Sequence, residues 1–453
     1  MSFLDGRRYF VHGLGISGQA AAKLLAEDGR EVVAFDENPT VVADYARLLG
    51  SESYGRSVSV VSPEDAEQAL ALCDRMVLSP GVPVNNPLVS AARVLAIPVD
   101  SEIEAAFHYT NADIVAVTGT NGKSTTVGIV GAILQTAGVS AVVAGNVGTP
   151  FASVVTGGDF GVFVLELSSF QLDTISEFRA NVAVLLNITP DHLDRYHHSF
   201  DEYASSKARI LNRSDEATGF VYNADDVACV RISEHFDGIE FPFSSTRKLD
   251  VESGVYVKDG SICRWRHGSE EHVIEVGEFV PVGVHNLENA MASVGVATAL
   301  NVELSDISDG LRSYTPLPHR MEPVRTVGEI TWINDSKATN VDATIKSLIS
   351  IEGGVVLIVG GRDKEGDFAA LVPHLERVRK AILIGEAQRV IRAALEGSCE
   401  LDDAQDMSSA VEAAASYARP GDTVLLAPAC ASFDMFDDYK HRGEVFRSCV
   451  NAL

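Results

Sequence analysis

The chain has 453 residues, 46% hydrophobic and 22% charged, which is enough to bury several cores and excludes a single small module. With 36 Lys and Arg against 63 Asp and Glu, the formal charge of −27 excludes a phosphate-tracking basic stripe and argues against nucleic-acid or anionic-membrane binding. A phosphorylated ligand must therefore be held by a few locally placed cations and backbone N–H groups.

The opening segment Met1–Arg8 lacks the apolar run of a signal peptide. Short apolar runs at Tyr9–Val11, Glu31–Phe35, Met76–Leu78, Ile114–Val117, Val162–Leu165 and Val182–Leu186 alternate with helical patterns. They resume at Val355–Val359, Ala381–Ile384 and Thr423–Leu426, so the chain is predicted to be α/β with mostly parallel sheets. The uncharged stretch Ser124–Gly158 is interrupted by Gln135–Gly138 and Asn146, and reads as a buried helix, turn and strand rather than a membrane span. Between Phe241 and Phe279, strand-like alternation with glycine turns predicts a small antiparallel excursion. Punctuation at Ala96–Asp100 and Tyr314–Pro318 divides the chain into units of residues 1–100, 101–314 and 315–453. The six cysteines are scattered without a C-x-x-C pair, the pattern of reduced thiols in a cytoplasmic protein.

Gly13-Leu14-Gly15-Ile16-Ser17-Gly18 follows the first strand, and Asp36 closes the second. Glycines here let backbone N–H groups approach a diphosphate at a helix N-terminus, while the acid bonds a ribose hydroxyl; tight strand-to-helix packing without a ligand gives the same pattern. Val117-Thr118-Gly119-Thr120-Asn121-Gly122-Lys123-Ser124-Thr125 is more specific, because strand, glycine loop, Gly-Lys-Ser and helix occur in order. It predicts a loop cradling a nucleoside triphosphate, with Lys123 spanning the β- and γ-phosphates and Ser124 offering its hydroxyl to Mg²⁺. The usual spacing places a glycine where Val117 stands, so the loop is a variant. Glu166, at the end of a later strand, is a hard carboxylate for Mg²⁺, and His192 follows the next strand as a second candidate.

These motifs, with Gly145-Asn146-Val147-Gly148, Glu166–Gln171, Asp191–Arg195 and His285–Asn289, resemble the Mur ligase superfamily of ATP-dependent amide-forming enzymes. Asn334–Asn340, Gly360–Lys364 and Pro428–Asp434 resemble its D-glutamate-adding members. The resemblance covers essentially the whole chain. It implies three domains: Rossmann-like for the uridine substrate, P-loop ATPase-like with a mostly parallel sheet, and Rossmann-like again for the amino acid.

It also implies the chemistry. The γ-phosphoryl group of ATP passes to the carboxylate of UDP-N-acetylmuramoyl-L-alanine, and the amine of D-glutamate displaces phosphate from the acyl phosphate. By resemblance, Gly119–Thr125, Asn286, Asn289, Arg320 and Asp335 hold ATP, and Gly15, Ser17, Gly18 and Asp36 hold the uridine end. Thr339, Lys364, Ser432, Phe433 and Tyr439 grip D-glutamate, and Asn146 stands beside the reacting carboxylate. Two Mg²⁺ ions fall to Ser124, Glu166, His192 and Lys207, the last as a carbamate. The expected protein is a monomer without nucleic-acid partner or membrane insertion.

Residue chemistry alone leaves other readings open. Lys207 reads as an exposed helix lysine, Lys337 and Lys364 as solvated loop lysines, and Ser432 as a helix N-cap. For the whole chain, the competing functions are a nicotinamide-dependent dehydrogenase, a regulatory nucleotide-binding protein without chemistry, and a related ligase adding another amino acid or extending folate.

Overall fold

The computed structural model describes residues 3–146, 148–279, 284–316, 318–364 and 366–453. Val147 of the Gly145–Gly148 motif and Leu317 of the second boundary segment lie outside them. β-Branched runs too apolar for a solvated face form the central strands of three separate sheets, and these strands are buried on both faces, as parallel pairing requires.

The first sheet has five parallel strands in the order Val58–Val60, Glu31–Phe35, Arg8–His12, Arg75–Leu78, Val99–Ser101. Connections leave Arg8–His12 toward one neighbour and arrive beside it from the other, so a crevice opens at its carboxyl end.

The central sheet has nine strands, with Asp113–Thr118 between Val182–Leu185 and Val162–Glu166. At its far end Ser253–Lys258, Ser261–Arg266 and Ser269–Glu275 form the antiparallel excursion, joined through a parallel pairing to Ile239–Ser244. The uncharged stretch becomes helix Lys123–Thr136, strand Ala141–Gly145 and the short helix Phe151–Val154. The last sheet has six strands, parallel except for the pair Glu322–Val327 and Ile330–Asn334. No helix among the described residues is long and apolar enough to cross a membrane.

The passage from the first sheet to the second has no loop. Strand Val99–Ser101 runs into helix Glu102–Phe107, whose N-cap Ser101 accepts from the Glu104 N–H. Two carboxylates of that helix, both 0% exposed, fasten it to the central unit. Glu104 accepts from the N–H groups of Ser176, Glu177 and Phe178 at 2.8, 2.9 and 3.0 Å. Burial raises its pKa, but His108 and these donors outweigh burial and hold it low. Glu102 accepts only from Ala152 N–H, its other oxygen has no partner, and burial pushes its pKa up to about 7.

A carboxyl whose folded pKa exceeds its unfolded value binds its proton more tightly in the native state. The Glu102 contribution is therefore present at low pH and is lost as pH rises from about 4.5 to about 7, a change on the order of 3 kcal/mol. We expect Glu102→Gln to flatten this slope and to melt above the wild type at pH 8. Parallel melting curves at pH 5 and 8 check this, and an unchanged difference between the two pH values would refute it.

Candidate functional site

Three cavities open at the carboxyl ends of the strands, around one phosphate-loop geometry. Gly119 and Gly122 adopt φ of +155° and +88°, which turns the strand end into the helix starting at Lys123. Gly122 is also a close-approach position, since a Cβ there would collide with the Asn289 side-chain oxygen. The Lys123 ammonium donates to the carbonyls of Gly119 (2.7 Å) and Thr120 (2.8 Å).

Lys207 Nζ reaches the same Gly119 carbonyl at 2.8 Å. Its residue is 2% exposed, which overturns the solvated-lysine reading. Helix Phe200–Ala208 turns this side chain inward beside Tyr203, whose ring centroid lies 4.7 Å from the ammonium. Burial, then the charge of Lys123, drives the Lys207 pKa well below that of a free lysine. Burial likewise lowers Lys123, although Glu166 and Asp191 oppose the shift.

The loop ends of neighbouring strands complete the centre. Asn146 donates to Glu166 Oε1 at 3.2 Å, and Glu166 forms no ion pair among the described residues. Ser124 is 6% exposed at the start of the loop helix. His192 has φ +54° and packs edge-on against Phe170 at 5.2 Å; burial, opposed by Asp191, lowers its pKa to about 4. It is therefore a neutral imidazole at pH 7, able to donate a lone pair to a metal. No group of three or more His, Cys, Asp or Glu among the described residues is arranged to hold an ion. An ion at Glu166 would need hydroxyl and phosphate oxygens to complete its shell, a donor set that suits Mg²⁺.

The first cavity, of about 460 Å³, is lined by Gly15, Ser17 and Asp36 and reaches Asn146. The Asp36 carboxylate accepts from the N–H groups of Leu14 (2.7 Å) and Asn38 (2.9 Å), fixing the glycine loop. Gly18 is not in the lining: a Cβ there would fall on the Gly13 carbonyl, so its smallness permits packing rather than ligand approach. His12, at the cavity floor, is 1% exposed with both ring nitrogens unpartnered, a feature the sequence reading missed. Arg195 ties this region to the centre, donating to the carbonyls of Pro80 and Val82 while its guanidinium lies 3.8 Å from the Phe170 ring centroid.

The second cavity gathers Asn121, Gly122, Thr125, Asn286, Asn289, Arg320 and Asp335 from the central and last units. Asp335 is 7% exposed, accepts from Ser347 Oγ and Met321 N–H, and is raised by burial. The third cavity, of about 370 Å³, brings Thr339 and Lys364 to Asp191 and His192.

Ser432, Phe433 and Tyr439 lie outside that lining. Ser432 is 2% exposed and Phe433 is 64% exposed. Ser432 is no N-cap either: only a turn follows it, closed by the Met435 and Phe436 N–H groups on its carbonyl, and the next helix starts at Tyr439 under Asp438. Lys337 is not freely solvated, for its ammonium lies 3.9 Å from the Tyr439 ring centroid and burial lowers its pKa to about 7.

Sequence reading also missed the bridge between the phosphate loop and the last unit. Asn121 Nδ2 donates to Asp342 at 2.6 Å, and Asn340 Nδ2 donates to Asn121 at 3.3 Å and to Asp191 at 3.0 Å. Asn340 stood inside a quoted motif, whereas Asp342 carried no signal.

Comparison with known proteins agrees with this geometry. Residues 117–297 match the Mur ligase middle domain, and residues 319–430 match the Mur ligase glutamate ligase domain. A UDP-N-acetylmuramoylalanine–D-glutamate ligase of Geobacter metallireducens is 41% identical, with 99% of this chain and 98% of that protein covered. Its counterpart in Solibacter usitatus is 40% identical over 99% of both. Among solved structures, MurF of Acinetobacter baumannii superposes with a TM-score of 0.64 at 15% identity, covering 97% of this chain and 93% of that one. A pseudomurein peptide ligase type C of Methanothermus fervidus gives 0.62 at 18% identity, covering 98% and 99%, so both share the fold. Similarity of this degree along nearly the whole length, on a site built as described, means that the chain belongs to the Mur ligase family, in its UDP-N-acetylmuramoylalanine–D-glutamate ligase branch.

Proposed function

We propose that the protein joins D-glutamate to UDP-N-acetylmuramoyl-L-alanine at the expense of ATP, a step in building peptidoglycan precursors. The observation that carries this reading is the placement of three cavities about one centre, the second of them lined by Asn121, Gly122 and Thr125 of the phosphate loop. Asn146 belongs to the uridine-side cavity and donates to Glu166, while His192 and Asp191 belong to the cavity of Thr339 and Lys364.

A carboxylate oxygen of the uridine substrate attacks the γ-phosphorus of ATP, and the bond to the ADP oxygen breaks. The D-glutamate nitrogen, having lost a proton, then attacks the acyl carbon, and the tetrahedral adduct expels phosphate. No serine or cysteine nucleophile is needed. Catalysis is positioning and charge neutralisation, for which one well-aimed donor is worth ~10²–10³ in rate.

Lys123 and the loop N–H groups serve the triphosphate, with Asn286, Asn289, Arg320 and Asp335 around the nucleoside. Gly15, Ser17 and Asp36 receive the uridine end. Thr339 and Lys364 bind D-glutamate, and Ser432, Phe433 and Tyr439 belong to the same amino-acid side of the site.

Ser124 and Glu166 would hold one Mg²⁺, and His192 with Lys207 as a carbamate would hold a second. Such ions supply charge neutralisation on the phosphoryl oxygens. An amine whose pKa is lowered by burial and by Lys123 fits carbamate formation, in which the nitrogen of the deprotonated form bonds the carbon of CO₂ and a proton is released.

We divide the chain into domains 1–100, 101–314 and 315–453, which close on the substrates in a monomer in the cytoplasm. Six unpaired cysteines fit a reducing compartment.

Phosphate release tests this reading, with ATP, Mg²⁺ and UDP-N-acetylmuramoyl-L-alanine present and a panel of D- and L-amino acids added in turn. Turnover should require D-glutamate. Equal release without an amino acid, or preference for another one, would overturn it.

A further inference from the structure

Arg442, in the first turn of helix Tyr439–Asn451, is 0% exposed and has no anion of its own. Its hydrogen bonds all end on neutral acceptors. Nε donates to the Ser336 hydroxyl at 3.0 Å, Nη2 to the Ser336 carbonyl at 2.8 Å, and Nη1 to the carbonyls of Cys430 and Ala431 at 3.1 and 3.3 Å. No carboxylate among the described residues pairs with it. Asp434, whose charge it feels, accepts from the Glu386 N–H with one oxygen and leaves Oδ1 unpartnered.

Burying an unpaired cation is costly, and the positive end of the helix dipole adds to the cost. A merely structural tie would be made more cheaply by a neutral donor. What this guanidinium ties together explains its retention. Ser336, whose hydroxyl donates to the Tyr439 carbonyl at 2.8 Å, stands between Asp335 and Lys337. Ala431 immediately precedes Ser432. One side chain thus fixes the relative places of the segments carrying Lys337, Ser432 and Tyr439.

We propose that Arg442 is a positioning residue for the acidic amino acid: it frames the segments that receive the substrate. The inference rests on the D-glutamate reading above and adds a residue that touches no substrate atom. It accounts for a fork spent entirely on the carbonyl and hydroxyl groups of two other segments.

The test is steady-state kinetics of full-length Arg442→Gln and Arg442→Lys, with KM measured separately for D-glutamate, ATP and the uridine substrate. Loss of a buried charge-assisted set of bonds predicts a D-glutamate KM about 10–100-fold higher in Arg442→Gln, well beyond any change for ATP. Arg442→Lys, which keeps the charge and loses the planar fork, should recover part of that loss. If Arg442→Gln does not fold, Arg442→Lys decides through the same split between the KM values. Unchanged D-glutamate KM, or ATP and D-glutamate KM rising together, overturns the inference alone. A wild type indifferent to D-glutamate overturns the underlying reading and the inference with it.

Discussion

Lys207→Ala is expected to fold normally and to lose about 10³-fold in kcat, the scale of removing a principal charge-stabilising group. Two ammonium groups now share the Gly119 carbonyl, one of them 2% exposed. Like charges about 4 Å apart at an effective dielectric near 20 repel by ~4 kcal/mol, and a divalent ion roughly doubles this. An ammonium at Lys207 therefore opposes the chemistry, whereas a carbamate reverses the sign and offers two hard oxygens. Stability should change little, because the truncation removes an unpaired buried cation along with its packing. Rapid-quench assay of acyl phosphate, with ¹³C NMR of protein equilibrated in labelled bicarbonate, gives two readouts. Full activity in the variant, or an active wild type without a carbamate carbon signal, would sink the proposal.

Lys364→Ala should raise the D-glutamate KM about 10–100-fold while moving that for ATP by less than about threefold. Lys364 shares its cavity with Thr339, Asp191 and His192, so a carboxylate entering there meets one ammonium and loses one charge-assisted bond in the variant, worth ~1.5–3 kcal/mol. The substitution has a second signature. Lys364 is one of the charges that hold His192 low, after burial, and its removal shifts the imidazole pKa upward from about 4. The acid limb of the pH–rate profile should move in the same direction. A larger effect on ATP than on D-glutamate would place Lys364 on the nucleotide side.

Local order made the phosphate loop legible, because strand, glycine loop, Gly-Lys-Ser and helix are contiguous and each step has a backbone reason. The same held for the first glycine loop and the antiparallel hairpins. Position in space was harder to read. Helix Phe200–Ala208 is short and polar overall, yet buries Ser206 and Lys207 together, so no apolar stripe marked its inward face. The Asn121–Asp342 bond joins residues 221 positions apart, and nothing local distinguishes Asp342 from a solvated acid. Ser432 was ambiguous because a serine after a strand satisfies capping and binding readings equally; the turn at Met435 and Phe436 removed the first.

The side chain of Asn121 belongs to the phosphate loop but is gripped by Asn340 and Asp342 of the last unit. A shared contact of this kind can be biased from either side, by a ligand on the loop or by one on the last unit. Whatever free energy ATP spends on bringing the last unit home no longer has to be supplied by the amino acid, and the reverse holds to the same factor. Ligands that each favour this contact therefore strengthen one another's binding through it.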